Sequence, residues 1–181
     1  MGFVSILSQK SDKIVIFPRN KPFGTLFVID KSEYNYLKER RITMNFNNFT
    51  IKAQEAVQEA VNLTQAHNGQ VIEPIHLLQA VMKVGENVTK FIFQKLGVNG
   101  QQIANVVARQ IESLPKVSGG NPYLSRESND VLQKAVQYSK EMGDEFVSIE
   151  PIILALLVVK STASSILKDA GVSEKELREA I

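Results

Sequence analysis

The sequence predicts an all-α domain built from two similar four-helix halves and preceded by a leader of different character. Three observations predict this fold. Apolar residues recur at helical spacing from Phe49 onward, helix-capping residues interrupt the chain at regular places, and the pattern of residues 49–113 returns in residues 124–181. A linker over residues 114–123 joins the halves. We therefore expect two pseudo-symmetric repeats that share one core, in a compact eight-helix domain spanning residues 44–181.

The leader, residues 1–43 of the 181, carries the positive charge of the chain. It has eight basic and four acidic side chains, whereas residues 44–181 have thirteen basic and fifteen acidic ones. The net charge of +2 and the pI of about 8.8 thus come from the leader, and the body has no basic footprint for nucleic acid. Two short apolar runs, residues 14–17 and 25–29, predict strands within the leader.

Two origins of the leader are compatible with the sequence. Glu39, Arg40 and Arg41 stand shortly before Met44, and their codons can form a purine-rich stretch like a bacterial ribosome-binding site. We therefore expect Met44 to be the natural start and residues 1–43 to be translated upstream sequence. The alternative is a genuine N-terminal extension, and the nucleotide sequence around codon 44 distinguishes the two.

Composition and motifs exclude several classes of site. The chain has no Cys, which excludes a disulfide scaffold, a thiolate metal site and a Cys nucleophile. It contains no Gly-x-x-x-x-Gly-Lys-Ser/Thr sequence, so it has no P-loop. The two histidines, His67 and His76, lack a set of accompanying ligands. We expect no metal and no cofactor, and we expect His76 to be buried with its ring bonded to a helix end.

Membrane attachment and secretion are not expected either. No apolar run approaches the ~18–20 residues that a membrane-spanning helix needs, and the first residues lack the basic n-region of a signal peptide. A chain without Cys also fits a reducing compartment. The expected location is cytoplasmic, with no membrane partner.

Capping residues predict where the first and second helices of each repeat begin. Thr50 and Ser125 are the predicted N-caps of the first helices, because a hydroxyl oxygen can accept from a free N–H of the first turn. Pro74 and Pro151 are placed in the first turn of the second helices, where a missing N–H is tolerated.

Glycines and short polar residues predict the remaining boundaries. The first helices are expected to end at Asn68-Gly69 and at Gly143, and the third helices at Gly97 and Gly171. The predicted caps of the fourth helices are Asn99 and Ser173.

The two halves also match in sequence. Residues 72–77 (IEPIHL) correspond to residues 149–154 (IEPIIL), and the Leu-Gly-Val at 96–98 corresponds to the Ala-Gly-Val at 170–172. The offset drifts between 74 and 77, so the copies differ by small loop changes. Two copies with a period this long do not form a solenoid array.

Residues 44–181 resemble the double Clp repeat at the N-terminus of ClpB-type disaggregases. The residues that carry the resemblance are Phe49-Thr50, residues 72–78 (IEPIHLL), Gly97-Val98 and residues 143–150 (GDEFVSIE). The Glu-Pro before His-Leu-Leu and the Gly-containing linker are closer to the ClpB type than to ClpA or ClpC. So is Ile153, where a second His is common in the ClpC type.

The resemblance implies a mobile substrate-engaging module ahead of two AAA+ ATPase rings of the same chain, assembled as a hexamer. Such a module would contact exposed apolar segments of unfolded or aggregated proteins and help to pass them to the central pore. It would not be an enzyme itself, because the ATPase rings belong to the rest of the protein.

The resemblance also implies roles in substrate handling for Thr50, Asp144 and Glu150. The alternative for Thr50 is a plain N-cap, which is compatible with the first role. The alternatives for Asp144 and Glu150 are a solvated loop charge and a helix-start acid favoured by the helix dipole. We expect no catalytic acid–base pair, since nothing nearby supplies a nucleophile or an oxyanion site.

A peptide groove is predicted where the first helices of the two repeats approach each other. Its predicted wall consists of Val131, Leu132 and Tyr138. Ordinary core packing is the alternative for Val131 and Leu132. Tyr138 is the preferred surface candidate, because its ring is apolar while its hydroxyl can stay wet.

Two other functions are compatible with this sequence. One is a stand-alone Clp-repeat adaptor or regulator that docks onto a Clp ATPase or protease. The other is a helical regulatory or dimerisation module with no role in unfolded-protein binding. A Walker A motif encoded beyond codon 181 would favour the ATPase module, a stop codon would favour the adaptor, and a titration with an unfolded protein would test the third reading.

Overall fold

A computed structural model of the chain describes residues 46–117 and 122–181, together with the backbone of residues 13–16 and 27–30. The chain divides into two units, residues 1–44 and residues 45–181. In the first unit, β1 (Lys13–Ile16) pairs with β2 (Phe27–Asp30) in an antiparallel ladder. These strands overlap both predicted ones. The expected start at Met44 lies outside the described residues.

The described part of the second unit contains eight α-helices, which confirms the predicted fold class. A short 3-10 helix, Phe46–Asn48, precedes them. The helices of the first repeat are α1 (Ile51–Ala66), α2 (Pro74–Val84), α3 (Glu86–Lys95) and α4 (Gly100–Glu112). Those of the second repeat are α5 (Arg126–Met142), α6 (Ile149–Val158), α7 (Thr162–Asp169) and α8 (Glu174–Ala180).

The four predicted N-caps lie at the helix starts. Thr50 Oγ1 accepts from the N–H of Ala53 at 3.2 Å, and Ser125 Oγ accepts from the N–H of Ser128 at 3.0 Å. The side chains of Asn99 and Ser173 cap α4 and α8 in the same way. Each cap satisfies a backbone donor that the helix itself leaves without a partner.

The predicted helix ends are also present. Gly97, Gly143 and Gly171 adopt φ angles of 67°, 82° and 90°, a region that glycine enters without the steric penalty of a Cβ. Asn68, after α1, is the one non-glycine residue with positive φ in the described ranges, at 55°.

The second helices of the two repeats, α2 and α6, form the centre of the domain. Eight of the ten residues of α6 and seven of the eleven residues of α2 are buried. α6 packs against α1, α2, α5, α7 and α8, and α2 packs against α1 and α3 to α7. A helix that is apolar nearly all round requires such neighbours. Each fully buried Leu or Ile side chain contributes about 1.5–3 kcal/mol to the stability of the fold.

α6 is strongly apolar, but it is not long enough to span a membrane. In the ranges that the structure describes, no single helix is both long and apolar enough to cross a bilayer. α6 and α7 meet the length and composition requirements only when taken together, and they are bent by 93° relative to each other.

Two short backbone pairings join the repeats, and the sequence pattern did not predict them. β3 (Val71–Ile72), in front of α2, pairs in parallel with β4 (Tyr123–Leu124), in front of α5. The N–H of Ser125 donates to the carbonyl of Ile72 at 3.0 Å. The predicted linker therefore ends in a strand.

The second pairing joins Phe49, in front of α1, to Val147, in front of α6. The N–H of Thr50 donates to the Val147 carbonyl at 2.9 Å, and the N–H of Val147 donates to the Asn48 carbonyl at 2.8 Å. In both pairings, the segment before the first helix of one repeat meets the segment before the second helix of the other. The two pairings are therefore equivalent under the pseudo-two-fold relation of the repeats.

His76, in the first turn of α2, is buried as predicted. Its Nδ1 accepts from the backbone N–H of Glu73 at 3.0 Å. Burial disfavours the charged ring and lowers the pKa of His76 from 6.5 to about 4, with a smaller contribution from the charge of His67. His76 therefore folds as a neutral ring that helps to fix the start of α2.

We predict that His76 makes the domain less stable as the pH falls from about 6.5 to 4. Below the ordinary pKa of His76, its ring binds a proton in the unfolded chain but stays neutral in the folded chain. The free energy of unfolding therefore drops, by up to about 3 kcal/mol. Urea unfolding of the wild type and of His76→Gln at several pH values checks this. Burial also raises the pKa of Glu73. The difference in stability between the two proteins separates the contribution of His76 from that of Glu73. Parallel pH profiles for the two proteins would contradict the prediction.

Candidate functional site

The pairing of Phe49 with Val147 brings Thr50 next to the segment that carries Asp144 and Glu150. Thr50 donates its N–H to the Val147 carbonyl at 2.9 Å, and Asp144 and Glu150 each lie three residues from Val147. Asp144 is exposed, and Thr50 and Glu150 are half-buried. The elements that meet here are the start of α1 and the α5–α6 loop.

Local packing holds Thr50 at the start of α1. The ring of Phe46 packs edge-to-face on the buried ring of Phe49, with 5.1 Å between the centroids. Gln54 Nε2 donates to the carbonyls of Phe46 and Phe49, at 3.1 Å and 2.9 Å. The turn before α1 is therefore closed by one glutamine side chain, and Thr50 follows it directly.

The α5–α6 loop is held from the end of α5. Gly143 ends the helix in the left-handed conformation, and the N–H of Asp144 donates to the Ser139 carbonyl at 2.9 Å. The hydroxyl of Ser139 lies 3.2 Å from the carbonyl oxygen of Asp144 and 3.1 Å from that of Phe146. These contacts fix the backbone on which the side chains of Asp144 and Phe146 stand.

Two large apolar side chains are exposed at this place, and sequence reasoning missed both. Ile51 is 75% exposed and Phe146 is 45% exposed. Phe146 lies in a bend directly before the buried Val147, and its own side chain stays exposed. One signal was present for Ile51: it lies outside the apolar stripe of α1, at positions 53, 56, 57, 60, 61 and 64.

We call the combined surface of Thr50, Ile51, Asp144, Phe146 and Glu150 the junction surface. It continues along α1, because Thr50, Gln54, Val57 and Val61 follow the spacing of one helix face. Val57 and Val61 are half-buried, so this face presents partly exposed apolar groups.

The junction surface carries two carboxylates. Asp144 is exposed, and Glu150 stands in the first turn of α6. No group of three or more His, Asp or Glu side chains in the described ranges is placed to hold a metal ion. The arrangement offers apolar contact, carboxylates and hydrogen-bonding groups, which suits reversible binding.

The predicted wall residues lie in the core instead. Val131 and Leu132 are fully buried, and the core packing considered for them from the sequence is what the structure shows. α1 packs chiefly against α2, and α5 chiefly against α6. The first helices therefore do not form the exposed groove wall that was predicted from these residues.

The prediction that Tyr138 is a surface residue is wrong, since only 2% of it is exposed. Its ring lies 4.8 Å from Lys134 Nζ and 4.6 Å from Arg178 Cζ. Arg178 extends from α8 and is held by Glu174 at 2.9 Å. Burial, followed by the negative charge of Glu174, raises the pKa of the Tyr138 hydroxyl. The sequence of α5 carries no sign that α8 covers this ring.

A cavity of about 650 Å³ lies away from the junction surface, between α2, α3 and the start of α4. Its lining includes Gln79, Lys83, Lys90 and Phe93, and none of the predicted site residues.

Comparison with known proteins relates this chain to one family. Residues 48–170 match the family model of the Clp repeat (R) N-terminal domain. Over 138 residues the chain is 79% identical to the chaperone protein ClpB of Bacteroides thetaiotaomicron, and the match covers 76% of this chain and 16% of that protein. The chain thus spans well under two thirds of the ClpB relatives that it matches.

Solved structures share the fold at low sequence identity. The N-terminal domain of Hsp104 from Candida albicans superposes with a TM-score of 0.66 at 21% identity, covering 74% of this chain and 89% of that one. A ClpV N-domain in complex with a VipB peptide superposes with a TM-score of 0.62 at 16% identity, covering 74% and 84%. The all-α double repeat is therefore the fold of these domains too.

We predict a large and a small effect on stability, respectively, for two truncations of aliphatic side chains. Leu132→Ala should lower the free energy of unfolding by about 2–5 kcal/mol, because it leaves a cavity in the core. Ile51→Ala, at a side chain that is 75% exposed, should change it by less than about 0.5 kcal/mol. Urea unfolding curves of the two variants and the wild type give both values. Equal losses would show that the core and the surface have been misassigned.

Proposed function

The chain belongs to the Clp repeat N-terminal domain family, and on this basis we propose that it is the substrate-engaging module of an ATP-dependent ClpB-type disaggregase. It binds exposed apolar segments of unfolded or aggregated proteins, here called clients, at the junction surface. The observation that carries the proposal is the exposure of Ile51 and Phe146 beside Thr50 and Asp144. Apolar side chains left in water and rimmed by polar groups are typical of binding surfaces.

A second finding supports peptide binding by this fold. The ClpV N-domain has been solved with a VipB peptide, so a domain of the same architecture binds a peptide. In this chain, an apolar client residue would pack on Ile51 and Phe146. The carboxylates of Asp144 and Glu150 would accept from client N–H groups or basic side chains. A shallow surface with few anchors should bind weakly and accept many sequences.

The proposal extends to the rest of such a protein by resemblance. AAA+ rings in a hexamer would supply ATP hydrolysis, and the expected location is the cytoplasm. This chain has no P-loop sequence, so its own contribution is contact with the client.

Two variants, each of which replaces an exposed phenylalanine, test the proposal. Phe146→Ser should weaken binding of a fluorescent, reduced and alkylated model protein about tenfold, because the apolar contact area is lost. Phe91→Ser is the matched control, since Phe91 is 60% exposed on α3, outside the junction surface. Fluorescence anisotropy titrations measure both affinities. An unchanged affinity for Phe146→Ser, or the same loss in both variants, would refute the assigned surface.

A second prediction separates the two roles of Thr50. Thr50→Ala removes the acceptor for the Ala53 N–H and should cost about 1 kcal/mol of stability. Asn99→Ala removes the cap of α4, away from the junction surface, at a similar cost. Only Thr50→Ala should also weaken client binding, and Thr50→Ser should restore both properties. Thermal unfolding and the same titration report them. If the two alanine variants bind clients equally well, Thr50 is only a cap.

A further inference from the structure

The side chain of Ser139 connects the core to the α5–α6 loop. Ser139 is only 2% exposed, on the last turns of α5. Its Oγ lies 3.2 Å from the Asp144 carbonyl and 3.1 Å from the Phe146 carbonyl. A serine hydroxyl has a single hydrogen, which it can share between two such acceptors. The loop is thereby bonded to α5 on both sides of Glu145.

The first repeat shows what happens without this connection. Thr64 holds the equivalent position in α1, since the N–H of Gly69 donates to the Thr64 carbonyl at 2.8 Å just as Asp144 donates to that of Ser139. The Thr64 hydroxyl, however, donates back to the Ala60 carbonyl of its own helix at 2.8 Å. The helix ends correctly in both repeats, so the hydroxyl-to-loop bonds of Ser139 are not needed to end α5.

The two loops differ in what they present. The first-repeat loop carries Gly69, Gln70 and Val71, whereas the second carries Asp144, Glu145 and the exposed Phe146. The buried hydroxyl is bonded to the loop only in the repeat whose loop belongs to the junction surface.

We propose that Ser139 is a positioning residue for client binding, which fixes the Asp144 carboxylate and the Phe146 ring beside Thr50 before a client arrives. This inference rests on the proposed function of the junction surface. A loop that is ordered in advance loses less conformational entropy when it binds. Ser139 itself is buried and does not touch the client; it acts through the loop.

The test compares two buried hydroxyls in the 181-residue chain. Ser139→Ala should weaken binding of the reduced and alkylated model protein about fivefold, the range expected for one or two neutral hydrogen bonds. It should also speed hydrogen exchange at the amides of residues 144–147. Thr64→Val removes an equally buried hydroxyl that bonds only its own helix, and it should change neither property. Full affinity for Ser139→Ala would overturn the proposal.

A double-mutant cycle distinguishes positioning from general destabilisation. In a background that carries Asp144→Ala and Phe146→Ser, the loop has no client contacts left to position, so Ser139→Ala should cost little further affinity. The same fivefold loss in that background would overturn the proposal.

Failure of the proposed function gives a different result. If the wild-type chain does not bind the unfolded protein, the junction surface is not a client site. The hydrogen-exchange data alone then test whether Ser139 holds the loop. Faster exchange of the loop in Ser139→Ala, with no change in Thr64→Val, would then support its hold on the loop. Unchanged exchange would overturn it.

Discussion

Backbone groups in front of the first and second helices of each repeat find their partners in the other repeat. The N–H of Thr50 is satisfied by the Val147 carbonyl, and the N–H of Ser125 by the Ile72 carbonyl. Because a buried backbone group without a partner is costly, each repeat depends on the other for the segments in front of its helices. The same crossed pairing sets α2 beside α6, where each buries apolar surface that its own repeat cannot cover. Repeat docking and core formation therefore depend on one pair of contacts.

The two pairings are equivalent in position and different in chemistry. Ser128, in α5, donates its buried hydroxyl to the Ile72 carbonyl at 2.6 Å and so reinforces the β3–β4 pairing. The equivalent position in α1 is Ala53, which has no hydroxyl to offer the other pairing. That second pairing is a single bridge, and Ile51 and Phe146 are exposed beside it. One of the two pairings is therefore reinforced by a side chain, whereas apolar side chains are exposed beside the other.

Local signals predicted most of the fold, and long-range contacts decided the rest. Caps, prolines and glycines predicted at least one end of each of the eight helices in the described part, because these signals act within one turn of the chain. Strands of two residues have no periodicity to detect, and their partners lie some fifty residues away. Exposure is equally non-local: Tyr138 is covered by Arg178 of α8, while Phe146 is exposed beside Val147, which pairs with the distant Phe49. Roles for Asp144, Glu150 and Thr50 were predicted through resemblance, whereas the apolar members of the junction surface required the structure.

Under the proposed function, Thr50 both caps α1 and contributes to the binding surface. Its Oγ1 accepts from the Ala53 N–H, and within the described ranges its hydroxyl hydrogen has no acceptor. Its counterpart Ser125 accepts from the Ser128 N–H in the same way but donates its hydrogen to Ser128 Oγ at 3.1 Å. A hydroxyl can accept and donate at once, so capping α1 uses only part of the hydrogen-bonding capacity of Thr50. The remaining donor, half-buried next to Ile51, can bond a client carbonyl without giving up the cap. Under the proposed function, the cap and the client contact of Thr50 are therefore compatible, and the presence of Ala53 where the second repeat has Ser128 leaves that donor free.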